Sequence, residues 1–259
     1  MNNSNKIKKM EKSNFIKYYG HGTPYLKNIE LKGRLIILEG PDSSGRSTQI
    51  LLLNNYLEAN GHAVLNTGLR RSELVSEGIL EAKERHLLRK RTMSLFYAAD
   101  FADQLENKII PALRAGYIVL ADRYIYTLMA RDAVRKINRI WSYNLYGFAI
   151  KPDLVFYLDV DPNELIRRAF QKSTEELLKG IFDKDNFLDY YESGEDMGFS
   201  EDLLESFILY QKKMKQEFSR IQRKYGIIKI NGNRTVEEVH NELKQKIDQF
   251  LKVPFNNSK

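Results

Sequence analysis

The stretch Leu38-Glu-Gly-Pro-Asp-Ser-Ser-Gly-Arg-Ser-Thr-Gln49 constrains this chain more than any other. Before it lies Gly33-Arg-Leu-Ile-Ile-Leu-Glu-Gly40, a short apolar run that reads as a buried strand. After it, Leu51, Leu52, Leu53, Tyr56 and Leu57 give Ser47–Asn60 the apolar face of a helix, and Gly61 stops that helix. A strand, a Gly-x-x-x-x-Gly-basic-Ser turn and a helix have the layout of a phosphate-binding loop. The glycines allow successive N–H groups to converge on phosphate oxygens, and the helix N-terminus favours their charge. Gly40, Ser43, Ser44, Gly45, Arg46, Ser47 and Thr48 are the candidate phosphate contacts, with the Ser47 hydroxyl placed to ligate Mg²⁺. The basic residue of such a loop is normally lysine. Arg46 keeps the charge, extends the reach and offers a planar fork. The competing reading is an accidental glycine turn between strand and helix.

Four further apolar runs read as strands: residues 62–67, 116–123, 152–160 and 226–230. Helical patterns separate them, near 72–88, 91–115, 124–149, from Asp161-Pro162 onward, and near 201–224. Pro111 is expected to kink the second of these or split off its last turn. A final amphipathic helix, 235–251, opens with Thr235 and Glu238 as a capping box. Alternation of this kind predicts an α/β fold of three layers, a five-stranded parallel sheet with helices on both faces. Ligands bind such sheets at the carboxyl ends of the strands. The loop at 40–48, the Arg70-Arg71 pair and the Asp122-Arg123 pair all fall there.

Composition narrows the chemistry. The 259 residues contain no cysteine, which excludes disulfides, thiolate metal sites and a cysteine nucleophile, and which fits a cytoplasmic setting. The four histidines form no pair at metal-ligand spacing, and no apolar run approaches a membrane span. The net charge of +7 is concentrated at the start: residues 1–32 carry seven lysines against two glutamates. This region reads as a solvated basic extension, partly mobile, with nucleic acid an improbable partner. Residues 33–255 then form one domain, in which the polar and aromatic stretch at about 172–200 reads as a mobile lid.

The phosphate loop, Leu95-Phe-Tyr-Ala-Ala-Asp100, residues 109–124 ending in Asp122-Arg123-Tyr124, and Lys151–Leu165 occur in an order that resembles the thymidylate kinases, nucleoside-monophosphate kinases of the P-loop class. The resemblance spans about residues 33–250. It implies ATP as phosphoryl donor on the loop, Mg²⁺ at Ser47 and Asp122, a nucleoside monophosphate such as dTMP as acceptor, and a homodimer formed through helices. It further implies that Arg123 holds the acceptor phosphate, that Asp42 reaches the acceptor sugar or orients an arginine, and that Tyr97 stacks on the acceptor base. Arg46, Asp42 and Arg123 are the catalytic candidates. The competing reading of Asp122–Arg123 is a structural ion pair, and that of Tyr97 is plain core.

Several positions depart from the family pattern. Arg70 or Arg71 stands in for the arginine of the usual Thr-Arg-Glu-Pro, with a solvated basic loop as the equal alternative. Phe101 occupies the place of a base-reading arginine, and Leu128 that of a polar residue. Arg131 or Arg135, on the helix after Asp-Arg-Tyr, is the candidate replacement reader. Neither the loop, with Ser43-Ser44, nor the lid at 172–195 supplies the further arginine the family uses. Two other readings therefore stand beside the kinase: a nucleotide-binding regulator with little turnover, and a P-loop kinase for a different phosphorylated acceptor.

Overall fold

The computed structural model describes residues 16–26, 29–85, 89–178 and 190–252. Five parallel strands form one sheet: β1 (Arg34–Glu39), β2 (Val64–Gly68), β3 (Ile118–Asp122), β4 (Leu154–Asp159) and β5 (Ile228–Asn231), in the order β2-β3-β1-β4-β5. The chain crosses between them through α1 (Arg46–Ala59), α2 (Ser76–Glu84), α3 (Lys90–Gln104), α4 (Ile110–Ala115), α5 (Ile125–Val134), α6 (Arg139–Leu145), α7 (Pro162–Leu178), α8 (Tyr190–Ser193) and α9 (Leu203–Tyr225). α10 (Val236–Leu251) closes the fold.

The two-residue period of the strands sorts the core into two layers. Ile36 and Leu38 of β1, Leu120 of β3 and Phe156 and Leu158 of β4 face Leu53 and Leu57 of α1 and Val239, Leu243 and Ile247 of α10. The alternate residues Leu35, Ile37, Val119, Ala121, Val155 and Tyr157 face the opposite way, into a layer built from α3, α5 and α9. On α10 the buried residues recur every four, and the Thr235–Glu238 capping box fixes where the helix begins.

The break at Pro111 lies earlier than a simple kink would put it. Residues Leu105–Ile109 form a π-helical turn between α3 and α4, so the ladder changes register just before the proline that has no N–H to give it. In the region expected to be a lid, 172–178 continue α7 and 179–189 lie outside the described residues. Residues 190–200 are not an open loop: Glu192 and Ser193 are buried, and the Gln211 side chain of α9 donates to the Glu192 carbonyl.

The basic extension also behaves differently from a solvated tail where it is described. Residues 16–26 run as a strap along the connection that follows α6. Tyr19 N–H donates to Ala149 O at 3.0 Å, Lys151 N–H to Lys17 O at 2.7 Å, and Tyr18 bridges Ile150. Gly20 N–H reaches Gly147 O at 2.8 Å, an approach so close that a Cβ on Gly20 would lie 2.9 Å from the Gly147 Cα. Tyr19 hydrogen-bonds the Tyr126 hydroxyl, packs edge-on to Tyr225 with centroids 5.1 Å apart, and its carbonyl accepts from Tyr143. The lysines set the extension's charge, but Ile16, Tyr18, Tyr19, Leu26 and Leu31 set where it goes. Residues 1–15, 27 and 28 of the extension lie outside the described residues.

Deleting residues 1–24 should therefore cost stability rather than chemistry. Loss of one buried aromatic cluster and its hydrogen bonds is worth about 2–3 kcal/mol, or roughly 5–10 °C in the melting midpoint. Catalytic constants should stay within about threefold, since the strap holds no motif residue. A truncated chain that melts with the parent would refute the structural role.

Candidate active site

The carboxyl ends of β1, β2 and β3 lie side by side, and each turns sharply. Of the four non-glycine residues with positive φ among the described residues, Ser43 (62°), Arg70 (62°) and Arg123 (71°) sit in these three turns. Such backbone costs on the order of 1–3 kcal/mol per residue, a cost that clusters where side chains must be aimed. Gly40, at φ 154°, lets the first turn pass under Ser44: a Cβ there would meet the Ser44 Oγ at 2.9 Å.

Arg46 does not extend out of the loop as a phosphate-reaching lysine would. It is buried, with its guanidinium turned back among acceptors. Nε donates to Asp122 Oδ1 at 2.7 Å, Nη2 to Asp42 Oδ1 at 3.2 Å, and Nη1 to the carbonyls of Gly40 and Pro41. The longer, forked side chain explains the difference, because it can satisfy two carboxylates and the loop backbone at once. Ser47 Oγ donates to the other Asp122 oxygen at 3.1 Å. Burial raises the Asp122 carboxyl, but Arg46, by charge and by hydrogen bond, then Arg123 and Arg71, outweigh it and hold the group below its ordinary value.

From Asp42 the chain of charges continues. Arg123 Nη2 donates to Asp42 at 2.6 Å and its Nη1 to Glu192 at 3.0 Å. Arg131 donates to the same Glu192 oxygen through Nε, at 3.0 Å, and Nη2. Glu192 is almost fully buried; the two arginines overcome the desolvation that would raise its carboxyl and hold it well below the usual range. Arg71 Nη1 donates to Thr67 O, and Nη2 comes within 3.9 Å of Asp122. Arg70 is exposed; its backbone N–H donates to Asp100 at 2.8 Å. On the other side of the loop, Arg168 of α7 donates to Ser44 O at 3.3 Å and Gly232 O at 2.8 Å, and pairs with Glu164.

Beyond Arg131, α3 and α5 enclose a cavity lined by Met93, Ser94, Tyr97, Leu128, Arg131 and Asp132. Arg135, Tyr146 and the exposed Lys90 complete it. The Arg131 guanidinium lies 5.5 Å from the Tyr97 ring centroid. Asp132 is buried and accepts from the hydroxyls of Ser94 and Ser142, each at 2.6 Å. Burial pushes its carboxyl up, against those serines and the charges of Arg135 and Arg131. Phe101 is not in the cavity. It lies in the core below, edge-on to Tyr124 at 4.9 Å and 5.5 Å from Phe148.

A family model described as thymidylate kinase matches residues 38–197. "Probable thymidylate kinase 2" of Saccharolobus solfataricus is 34% identical over 225 residues, covering 85% of this chain and 98% of its own length. "Probable thymidylate kinase" of Thermococcus kodakarensis is 30% identical, covering 83% and 98%. "Thymidylate kinase" of Clostridium novyi is 29% identical, covering 82% and 97%. The chain belongs to the thymidylate kinase family.

Within that family membership, the structure brings together the loop residues Gly40–Thr48 with Asp122, Arg123 and Arg71, and separately Tyr97, Leu128 and Arg131. Arg123, Glu192 and Arg131 join the two groups. Phe101 belongs to neither, because its ring completes an aromatic stack with Tyr124 and Phe148. Sequence reasoning passed over Glu192, Arg168, Ser94, Asp132 and Tyr146; it offered Arg135 beside Arg131 as a base reader, and the structure commits Arg135 to Asp196 and Tyr210. Glu192 gave no local signal, since its arginines lie 61 and 69 residues away. Arg168 could have been found as a cation on the helix that opens right after a strand end.

Glu39 was also missed, although an acid ending an apolar strand is a visible anomaly. It is fully buried and accepts from the N–H groups of Tyr124 (2.9 Å) and Thr127 (3.2 Å) and from the Thr127 hydroxyl. Tyr124, the N-cap of α5, makes no side-chain cap of its own. Glu39 therefore caps α5 from the neighbouring strand and sets the helix that carries Leu128, Arg131 and Asp132.

Burial pushes the Glu39 carboxyl up to about 7, with the Thr127 hydroxyl, Arg123, the Tyr124 N–H and Arg46 restraining the rise. Above the unfolded value of 4.5, the folded state holds a proton that the unfolded chain has lost. The contribution to stability is therefore full below pH 4.5 and is lost as pH rises to 7, by up to about 3 kcal/mol. Glu39→Gln should flatten that part of the profile. Urea unfolding at pH 5 and pH 8 should show the variant gaining on the parent by at least about 1 kcal/mol at the higher pH. Equal slopes in both proteins would sink this account.

Proposed function

We propose that the protein transfers the terminal phosphoryl group of ATP to dTMP. The observation that carries this reading is the run of charge, buried except at Asp42, from the phosphate loop through Asp42, Arg123 and Glu192 to Arg131, at the mouth of a mostly apolar cavity. A nucleoside monophosphate with its phosphate at Arg123 would set its base between α3 and α5. The names carried by the relatives supply thymidylate as the acceptor.

The chain's own groups divide the work. The loop N–H groups and the N-terminus of α1 bind the donor phosphates. Arg46 keeps the loop carbonyls and the Asp42 and Asp122 carboxylates compensated, so that a polyanion does not meet bare negative charge. Arg123 orients the acceptor phosphate, and Arg168 brings a cation to the loop from outside both loop and lid. Alignment and charge neutralisation supply most of the rate in such transfers. Ser47 and Asp122 present adjacent oxygens of the kind that fit Mg²⁺, which takes one or two protein ligands and completes its shell with water and phosphate. Bound there, the ion would neutralise charge on the donor phosphates. Among the described residues no group of three or more His, Cys, Asp or Glu stands ready for a metal, so the phosphates themselves must contribute.

One observation favours the second reading, a nucleotide-binding regulator with little turnover: Arg46 is already committed to four acceptors. A coupled ADP-release assay over a panel of monophosphates, run beside ATP binding by calorimetry, separates the two. We expect turnover with dTMP, a loss of roughly 10²–10³ in kcat for Arg46→Ala with the fold retained, and partial recovery in Arg46→Lys. ATP binding without turnover on any monophosphate would establish the regulator instead.

We also infer a homodimer. Leu80 of α2 and Leu95 of α3 are exposed on two helices that pack together, leaving apolar area for a second copy. Sedimentation of the intact chain at twice its 30.3 kDa mass is the expected result, and a monomer at micromolar concentration would refute it.

A further inference from the structure

Thymine offers a protein one N–H donor, at N3, between two carbonyl acceptors. A buried donor left without a partner is costly, so a thymine site needs one acceptor in the right place. Neither residue at the positions expected to read the base can supply it. Phe101 is packed into the core beneath the cavity, and Leu128 lines the cavity with hydrocarbon alone.

The acceptor must come from the other lining residues, and most of them are committed. Arg135 is held by Asp196 through Nε and Nη2, at 2.7 and 2.9 Å, and by the Tyr210 hydroxyl; as a guanidinium it could only donate. Lys90 also only donates, and it is exposed at the rim. The Tyr97 ring faces the Arg131 guanidinium. Asp132 remains. Its two oxygens accept one serine hydroxyl each, from Ser94 and Ser142, which leaves lone pairs unused on a carboxylate that can accept about four bonds. The serines come from α3 and α6, so the carboxylate is held from two sides. Arg131, its neighbour on α5, spends Nε and Nη2 on Glu192, and Nη1 has no partner among the described residues.

We propose that Asp132 and Arg131 together read the acceptor base, Asp132 accepting the N3–H of an imide pyrimidine and Arg131 Nη1 donating to the adjacent carbonyl oxygen. Ser94 is a positioning residue that fixes the Asp132 rotamer. The specificity lost at positions 101 and 128 is thus rebuilt one helical turn further along α5. The inference rests on the reading of the cavity as the acceptor site.

The test compares kcat/KM for dTMP with that for N3-methyl-dTMP, in which a methyl group replaces the N3 hydrogen, removing the donor and adding bulk; Asp132→Asn, close in size to the parent, separates the two effects. The parent should reject the methylated analogue by at least ~100-fold, as sites built to pair with a polar group do. Asp132→Ala, which removes the acceptor and opens space, should bring that ratio below ~10, and Asp132→Asn, whose amide oxygen still accepts, should keep most of it. Ser94→Ala should raise the KM for dTMP and reduce the ratio, with kcat changed less than threefold, an outcome that general destabilisation would not give. A ratio unchanged within threefold in a folded Asp132→Ala, or in Ser94→Ala if that variant alone folds, overturns the inference and leaves the kinase reading standing. A parent with no turnover on dTMP would overturn both, starting with the kinase reading.

Discussion

Arg46 held between Asp122 and Asp42 is the contact on which the active centre depends. Three arginines and three carboxylates alternate from there: Asp122, Arg46, Asp42, Arg123, Glu192, Arg131. Arg46, Arg123 and Glu192 are each less than a tenth exposed, and a buried charge is tolerable only when paired. Each member is compensated by its neighbours, so deletion of one strands another. Because the six residues come from the phosphate loop, α1, the end of β3, α5 and α8, the same electrostatics that prepares a phosphate site also ties those elements together.

Much of this was legible in the sequence because it is local. The Gly40–Ser47 turn between a strand and a helix, the continuous apolar runs of β1, β3 and β4, and the Thr235–Glu238 box each write their geometry within a dozen residues. The five strands and their parallel arrangement followed from such signals. The π-turn at Leu105–Ile109 did not, since the pattern marks Pro111 and the register adjusts upstream of it.

Side chains that meet across the fold were harder to read. Glu192 acts through arginines on another element, and Asp132 is fixed by serines from α3 and α6. Phe101 shows the opposite failure: its position in a motif suggested a base contact, while its chemistry belongs to an aromatic stack. A phenyl ring at this position packs into the core against Tyr124 and Phe148. The described part of the extension was hard to read for a related reason, because a lysine-rich composition hid five partly buried apolar residues, Ile16, Tyr18, Tyr19, Leu26 and Leu31.

The strap has a further consequence for how the chain comes off the ribosome. Tyr19 is made early, yet the Tyr126 hydroxyl and the Tyr143 hydroxyl that clasp it lie 107 and 124 residues later, and Tyr225 later still. Contacts of such separation form late, after the helices α5, α6 and α9 that supply the docking surface are in place. Until those residues are made, residues 16–26 lack the partners that hold them in the fold. Once latched, the strap adds to the barrier against opening rather than to the speed of closing, so residues 16–26 lock the fold last.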